Sequence, residues 1–270
     1  MQYPLAASRQ NLSQGEFAPE AAALLARLRA KSPRVHCITN AVAQAFTANA
    51  LLAFGAVPSM TLAAEEIGAF VERSDALLIN LGTFDRERRE ATSIAIDAAA
   101  RKGLPWVLDP VFVDRAPQRA QYARDLIGLA PAALRLNAAE FTALAGHEPS
   151  AEAVAAYARD RDVTVGLSGQ TDLITDGART VLVGNGHSLM AKVTAMGCAA
   201  SALVAACLAV EPDAFRATAA ALLMTGVAGE VAAVRAQGPG SFAIAMLDAL
   251  YNLDEKSLVA HARCEIPKVT

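Results

Sequence analysis

Four short, mostly apolar runs, each ending near a polar residue, restrict this chain more than any other feature. They span 34–39 before Asn40, 76–81 with Asn80 near the end, 105–109 ending in Asp109, and 133–136 before Asn137. Runs of this length and polarity are strands covered on both faces, as in a parallel sheet. Helical patterns at 42–54, 65–72, 85–102, 118–129 and 138–145 alternate with them, and 57–60 is a further short strand. Gly55, Gly103 and Gly146 stand where helices stop. Such alternation predicts an α/β fold with a largely parallel central sheet.

The order then changes. Strands at 163–167, 172–175 and 180–183 follow one another, with Asp176-Gly177 as a hairpin signal between the last two. The sheet is therefore expected to gain antiparallel strands at one edge. Beyond Gly197 the sequence reads as helices at 198–210, 214–234 and 241–250. No repeat, linker or shift in composition divides the chain. The expectation is one domain over residues 1–270, with 1–15 and 254–270 as peripheral ends.

Composition excludes several classes. The chain is 54% hydrophobic and 19% charged, which rules out intrinsic disorder. A net charge of −3 provides no field for nucleic acid or acidic lipid, so neither is an expected partner. Polar residues interrupt the long apolar stretches, and the richest, 199–210, is too short to span a bilayer. Residues 1–14 lack the basic-then-apolar pattern of a secretory signal. Cys37, Cys198, Cys207 and Cys264 form no CxxC pair and read as free thiols of a reducing, cytoplasmic setting.

Common catalytic signatures are absent: there is no P-loop, no G-x-G-x-x-G after a strand, no G-x-S-x-G elbow and no H-E-x-x-H. What remains lies at strand ends. Asp109 closes one parallel strand, and ligands of open α/β sheets bind at that edge. Glu140 follows the next strand, and two carboxylates there suit Mg²⁺. Taken singly, Asn137 and Glu140 read more simply as a capping box, and Asp109-Pro110 as a plain turn. Thr39 and Asn40 are as compatible with a helix cap as with a ligand contact, and His36 reads as a satisfied core histidine. Gly197 opens a long apolar helix whose N–H groups attract anions. Cys198 lies in its first turn, where a thiol pKa is expected to fall.

The order of these features resembles the hydroxyethylthiazole kinase family, the thiamine-salvage branch of the ribokinase-like superfamily. The matching stretches are Val35-His36-Cys37-Ile38-Thr39-Asn40, Phe46-Thr47-Ala48-Asn49, Leu51 to Met60, Ala76 to Thr83, Pro105 to Val111, Thr175-Asp176-Gly177 and Gly238 to Phe242. The resemblance covers about residues 33–252 and implies a three-layer α/β/α ribokinase-like fold. It also implies phosphorylation of 4-methyl-5-(2-hydroxyethyl)thiazole by ATP with Mg²⁺, in a homotrimer. By similarity Met60, Ala195 and Asn40 would bind the thiazole alcohol. Arg135, Ser168 and Gly197 would bind ATP, Asp109 and Glu140 would lie at the metal, and Cys198 would be catalytic.

Departures from the family pattern gather on the phosphate side. The usual Gly-Thr-Gly-Cys is Ala195-Met196-Gly197-Cys198, and Arg-Gly-Asn-x-x-Glu is Arg135-Leu136-Asn137-Ala138-Ala139-Glu140. The usual Thr-Gly-Glu is Ser168-Gly169-Gln170, and Val113-Asp114-Arg115 replaces Val-Gly-Ala. Two other readings therefore stand beside the ATP kinase. One is a kinase with another phosphate donor or alcohol, and the other is a thiazole-binding protein without phosphoryl transfer.

Overall fold

The computed structural model describes residues 15–267. The first helix, α1 (Phe17–Lys31), precedes a run of strands and helices: β1 (Arg34–Ile38), α2 (Gln44–Phe54), β2 (Val57–Ser59), α3 (Ile67–Glu72), β3 (Ala76–Asn80), α4 (Arg86–Lys102), β4 (Trp106–Asp109), α5 (Pro117–Ile127), β5 (Ala133–Asn137), α6 (Ala138–Ala145), α7 (Ala151–Arg161) and β6 (Thr164–Ser168). The hairpin β7 (Asp172–Thr175) and β8 (Thr180–Val183) follows, then a 3-10 turn at Ser188–Lys192. The chain closes with α8 (Met196–Leu208), α9 (Ala214–Arg235), α10 (Pro239–Asn252), α11 (Glu255–His261) and β9 (Cys264–Glu265). Its nine-stranded sheet has the order β2-β1-β3-β4-β5-β6-β7-β8-β9. The first six strands are parallel, and β7, β8 and β9 join antiparallel at one edge.

Two-residue alternation along the strands separates two cores. Val35, Cys37, Ala76, Leu78, Val107 and Ala133 face the layer of α1, α2, α8, α9 and α10, whereas Leu77, Ile79, Trp106, Leu108, Leu134 and Leu136 face α3 to α7. The same alternation positions the chemistry. Asn80, Asp109 and Arg135 continue the first set, so all three point toward α8.

Strand order reverses between β1 and β3. Helix α2, following β1, packs on one face, and α4, following β3, packs on the other. A crevice opens at the carboxyl ends of strands at such a reversal. Asn40 follows β1 and Asn80 ends β3, so they flank it.

Several expectations are corrected here. Helices α1 and α7 were not read from the sequence, nor was the 3-10 turn at 188–192. The segment from 254 was expected at the periphery, yet Leu258 is fully buried and Cys264 pairs with Val183. The other expected peripheral end, 1–15, lies outside the described residues but for Gly15. Helix α9, with 22 residues, meets the length and hydropathy of a membrane span, contrary to the reading that every apolar stretch is interrupted. It is a core helix, since 78% of its apolar window is buried in the protein.

His36 is the satisfied core histidine that was expected. Its Nε2 donates to the Thr61 carbonyl at 3.2 Å, and its Nδ1 lies 2.8 Å from Ser59 Oγ. Burial lowers its pKa from 6.5 to about 4. Protons therefore favour the unfolded chain between those values, and stability present above pH 6.5 is lost as pH falls toward 4. The expected loss is roughly 3 kcal/mol. Urea unfolding from neutral pH to pH 4.5, run beside His36→Gln, will show the steeper decline in the unmodified protein.

Candidate active site

The strands β1, β3 and β4 pack against α8, and Arg135 of β5 reaches Gly197 at its start. Asn80 and Asp109 are register partners on β3 and β4. Asn80 Nδ2 donates to Asp109 Oδ2 at 2.7 Å, and Ser201 Oγ, from α8, donates to the same oxygen at 2.9 Å. Asn80 Oδ1 accepts from the Gly82 backbone N–H at 2.9 Å and from Asn40 Nδ2 at 3.3 Å. Asn40 Nδ2 also donates to Cys198 Sγ at 3.0 Å. One hydrogen-bonded run thus links Cys198, Asn40, Asn80, Asp109 and Ser201, all buried.

Helix α8 begins at this run without a cap. Ala195 is its N-cap and has no side chain to accept a hydrogen bond. The first backbone bond returning into the helix runs from Ala199 N–H to the Ala195 carbonyl. N–H groups of the preceding turn have no partner within the helix and form an electropositive end. Arg135 lies over it: a Cβ built on Gly197 would come within 2.7 Å of the Arg135 guanidinium.

Ala195 has φ 71 and ψ −2, the left-handed region that glycine adopts most readily. A Cβ there costs about 1–2 kcal/mol. Ala195→Gly removes that strain and adds chain entropy to the unfolded state, so a net gain of about 0.5–1 kcal/mol is expected from urea unfolding. Met196 is buried in the α8-side core.

The electrostatics correct one expectation. Cys198 does not have a lowered pKa; burial first, and the neighbouring Asp109 charge second, raise it to about 11. Those two effects outweigh the opposing pull of Asn80, Asn40 and Arg135, so the group is a protonated thiol at neutral pH. Burial also raises the pKa of Asp109, against the opposing pull of Arg135, Ser201 and Asn80. Glu140 is raised by burial and by Asp109, so the two carboxylates lie in each other's field.

Glu140 completes the capping box that the sequence offered as an alternative. Its Oε2 accepts from Asn137 N–H at 2.9 Å, while Glu140 N–H donates to Asn137 Oδ1 at 3.0 Å. Its Oε1 accepts from Phe112 N–H at 3.1 Å. These bonds leave each oxygen a second lone pair. Ser168 pairs with Asn137 in register, and its buried Oγ has no partner; Arg135 Nε has none either. Met60 leaves the edge strand β2 directly after Ser59, the register partner of His36, and packs half-buried against the α8-side core.

Of the residues singled out from the sequence, the fold therefore brings Asn40, Asp109 and Cys198 into one hydrogen-bonded run and sets Arg135 against Gly197. Asn80 and Ser201 were missed as members. The signal was present: each is a buried polar residue in a strongly apolar segment, Asn80 at the end of β3 and Ser201 one turn beyond Cys198.

The sequence model of the hydroxyethylthiazole kinase family matches residues 25–256. The chain belongs to that family. A hydroxyethylthiazole kinase of Granulibacter bethesdensis is 45% identical over 257 residues, covering 90% of this chain and 94% of its own length. The solved structure of a hydroxyethylthiazole kinase protein from Pyrococcus horikoshii superposes with a TM-score of 0.89 at 36% identity, covering 93% of this chain and all of that one. A ribokinase-like superfamily protein of Enterococcus faecalis, 14% identical with a TM-score of 0.66 over 92% of this chain, shares the fold. In this member of the hydroxyethylthiazole kinase family, Cys198 accepts a hydrogen bond from Asn40 and lies in the field of the buried Asp109.

Proposed function

We propose that this kinase transfers the γ-phosphoryl group of ATP to the hydroxyl of 4-methyl-5-(2-hydroxyethyl)thiazole, with Mg²⁺, in thiamine salvage. The observation that carries this reading is the buried run from Cys198 to Ser201 beneath an uncapped helix N-terminus. It gathers, at one strand edge, groups for an alcohol, an anion and a cation.

Phosphoryl transfer needs in-line placement of the hydroxyl and relief of negative charge on the phosphate oxygens. Asn40, Met60 and Ala195 hold the thiazole alcohol in this reading. Arg135, Ser168 and the N–H groups at Gly197 and Cys198 hold the phosphates, an oxyanion-hole arrangement fixed before substrate arrives. The orphaned Oγ of Ser168 and Nε of Arg135 are the polar atoms such a ligand would satisfy. Cys198, a protonated thiol, orients the hydroxyl and does not act as its base.

Asp109 and Glu140 are the residues that would hold Mg²⁺. The fit rests on chemistry: two hard oxygen donors lie in mutual repulsion, and both hydrogen bonds described for Asp109 end on Oδ2. Among the described residues there is no set of three or more metal-ligating side chains, which suits an ion completed by water and phosphate oxygens. When bound, Mg²⁺ supplies positive charge to the transferring phosphate.

A homotrimer and a cytoplasmic location accompany this reading. Val57 and Phe70 are exposed beside the outer edge strand β2, apolar surface of the kind that neighbouring copies cover.

The test is a coupled ADP-release assay with the thiazole alcohol, beside a direct titration of its binding. Thiazole-dependent release is expected, and Cys198→Ala is expected to lower kcat by about 10-fold or less, since a neutral thiol contributes little to proton transfer. Tight binding without ADP release overturns the ATP-kinase reading. One observation keeps a second reading in view: the strained Ala195 and buried Met196 at the anion site. The double variant Ala195→Gly with Met196→Thr separates the cases. A large gain in rate marks a decayed site, and a loss marks one adapted to another donor.

A further inference from the structure

Asn80 has no assigned role, yet it occupies the middle of the buried run. The orientation of each amide follows from one backbone donor. Gly82 N–H can only donate, and it meets Asn80 at 2.9 Å, so that end of the side chain is Oδ1. The opposite end is Nδ2, which suits its acceptor, Asp109 Oδ2. Asn40 approaches the oxygen end of Asn80, so it presents Nδ2, and the same nitrogen reaches Cys198 Sγ. Asn40 Oδ1 is what remains. Asn40 is only 7% exposed, and this oxygen has no partner. A buried acceptor left unpaired is costly, and the group that completes it must be a donor.

Close packing supports this fixed arrangement. A Cβ on Gly82 would lie 2.7 Å from both Asn40 Cβ and Asn40 Nδ2. The glycine therefore lets its own N–H reach Asn80 while the Asn40 side chain lies directly against it.

We infer that Asn80 is a positioning residue: held by the Gly82 N–H, it locks the Asn40 amide so that Oδ1 accepts the hydroxyl hydrogen of the alcohol substrate. This rests on the thiazole-kinase reading above. Accepting instead of donating, Asn40 leaves a lone pair of the substrate oxygen free for the phosphorus. A flipped Asn40 would offer N–H to that oxygen and occupy a lone pair. Asn80 thus acts on the reaction without touching the substrate.

The experiment compares binding of the alcohol with its fluoroethyl analogue, which keeps size and polarity but has no hydrogen to donate. Wild-type protein is expected to prefer the alcohol by about 10-fold or more, as sites built around a substrate hydroxyl do. Asn80→Ala frees Asn40 to rotate, so the preference is expected to drop below about 3-fold while the fluoroethyl Kd stays nearly unchanged. Asn80→Asp is not the conservative control, because its second oxygen would face Asp109 Oδ2 where the amide now donates. Asn80→Leu fills the volume without polar atoms and serves if Asn80→Ala does not fold; it is expected to lose the preference.

Equal weakening of both analogues would show a merely structural Asn80 and overturn the inference. So would an unchanged preference in Asn80→Ala or Asn80→Leu, or none in the wild-type protein. Wild-type turnover is measured on the same preparation. If ADP release occurs and the preference ignores Asn80, only the inference fails. If the alcohol binds with the expected preference but no ADP is released, only the kinase reading fails.

Discussion

Replacing Asp109 with asparagine is expected to lower kcat by roughly 1,000-fold and to raise the unfolding temperature at the same time. Asp109 is buried, and burial is the largest influence on its pKa, which is raised. The ionised form, which the proposed cation site needs, therefore weighs against the folded state. A group with a raised folded pKa stabilises below its unfolded value, and that contribution is lost as pH rises through the folded value. The amide has no such loss. The gap in unfolding temperature between Asp109→Asn and the unmodified protein should widen from acid to neutral pH. The shape match is close, because an amide oxygen can accept from Asn80 and Ser201 as Oδ2 does now. Thermal scans across pH and steady-state turnover check both halves. A variant that is inactive and also less stable would contradict this account of Asp109.

Gly197→Ala is expected to reduce kcat/KM for ATP by about 100-fold with little change in fold stability. The new methyl group would meet the Arg135 guanidinium at 2.7 Å, and that is the far end of a flexible side chain. The chain can yield, so the fold survives, but the guanidinium leaves its place over the start of α8. Alanine is also the better helix former by about 0.5–1 kcal/mol, which offsets minor strain. The result that checks this is a raised KM for ATP with an unchanged urea midpoint and unchanged thiazole binding. Full retention of ATP kinetics would remove Arg135 from the phosphate site.

The sheet was legible because its strands are locally encoded. Leu77, Leu78 and Ile79 or Trp106, Val107 and Leu108 leave few alternatives to a strand covered on both faces. Hairpin β7–β8 was legible from Asp176-Gly177. Helices α1 and α7 were missed although each buries one face, as Leu24, Leu25 and Leu28 of α1 and Val154 and Ala158 of α7 show. Strand β9, two residues long, exists only through its pairing with β8, which no local pattern reveals. At the site, Asn40, Asp109 and Glu140 stand at strand ends and could be flagged one by one. Their connection could not. Asn40 and Cys198 lie 158 positions apart, and the raised Cys198 pKa follows from neighbours that only the fold supplies.

The sidedness of the sheet also bears on how the protein is made. Val35, Cys37, Leu78 and Val107 pack in the core that α8 and α9 help to build, and those helices begin at Met196 and Ala214. A ribosome emits every parallel strand well before that cover. Until the last third of the chain emerges, the growing polypeptide has half of a buried sheet face without its lid, a state prone to aggregate. A premature stop before residue 196 would therefore produce more than an inactive fragment. It would produce an adhesive one, the kind that chaperones bind and proteases clear.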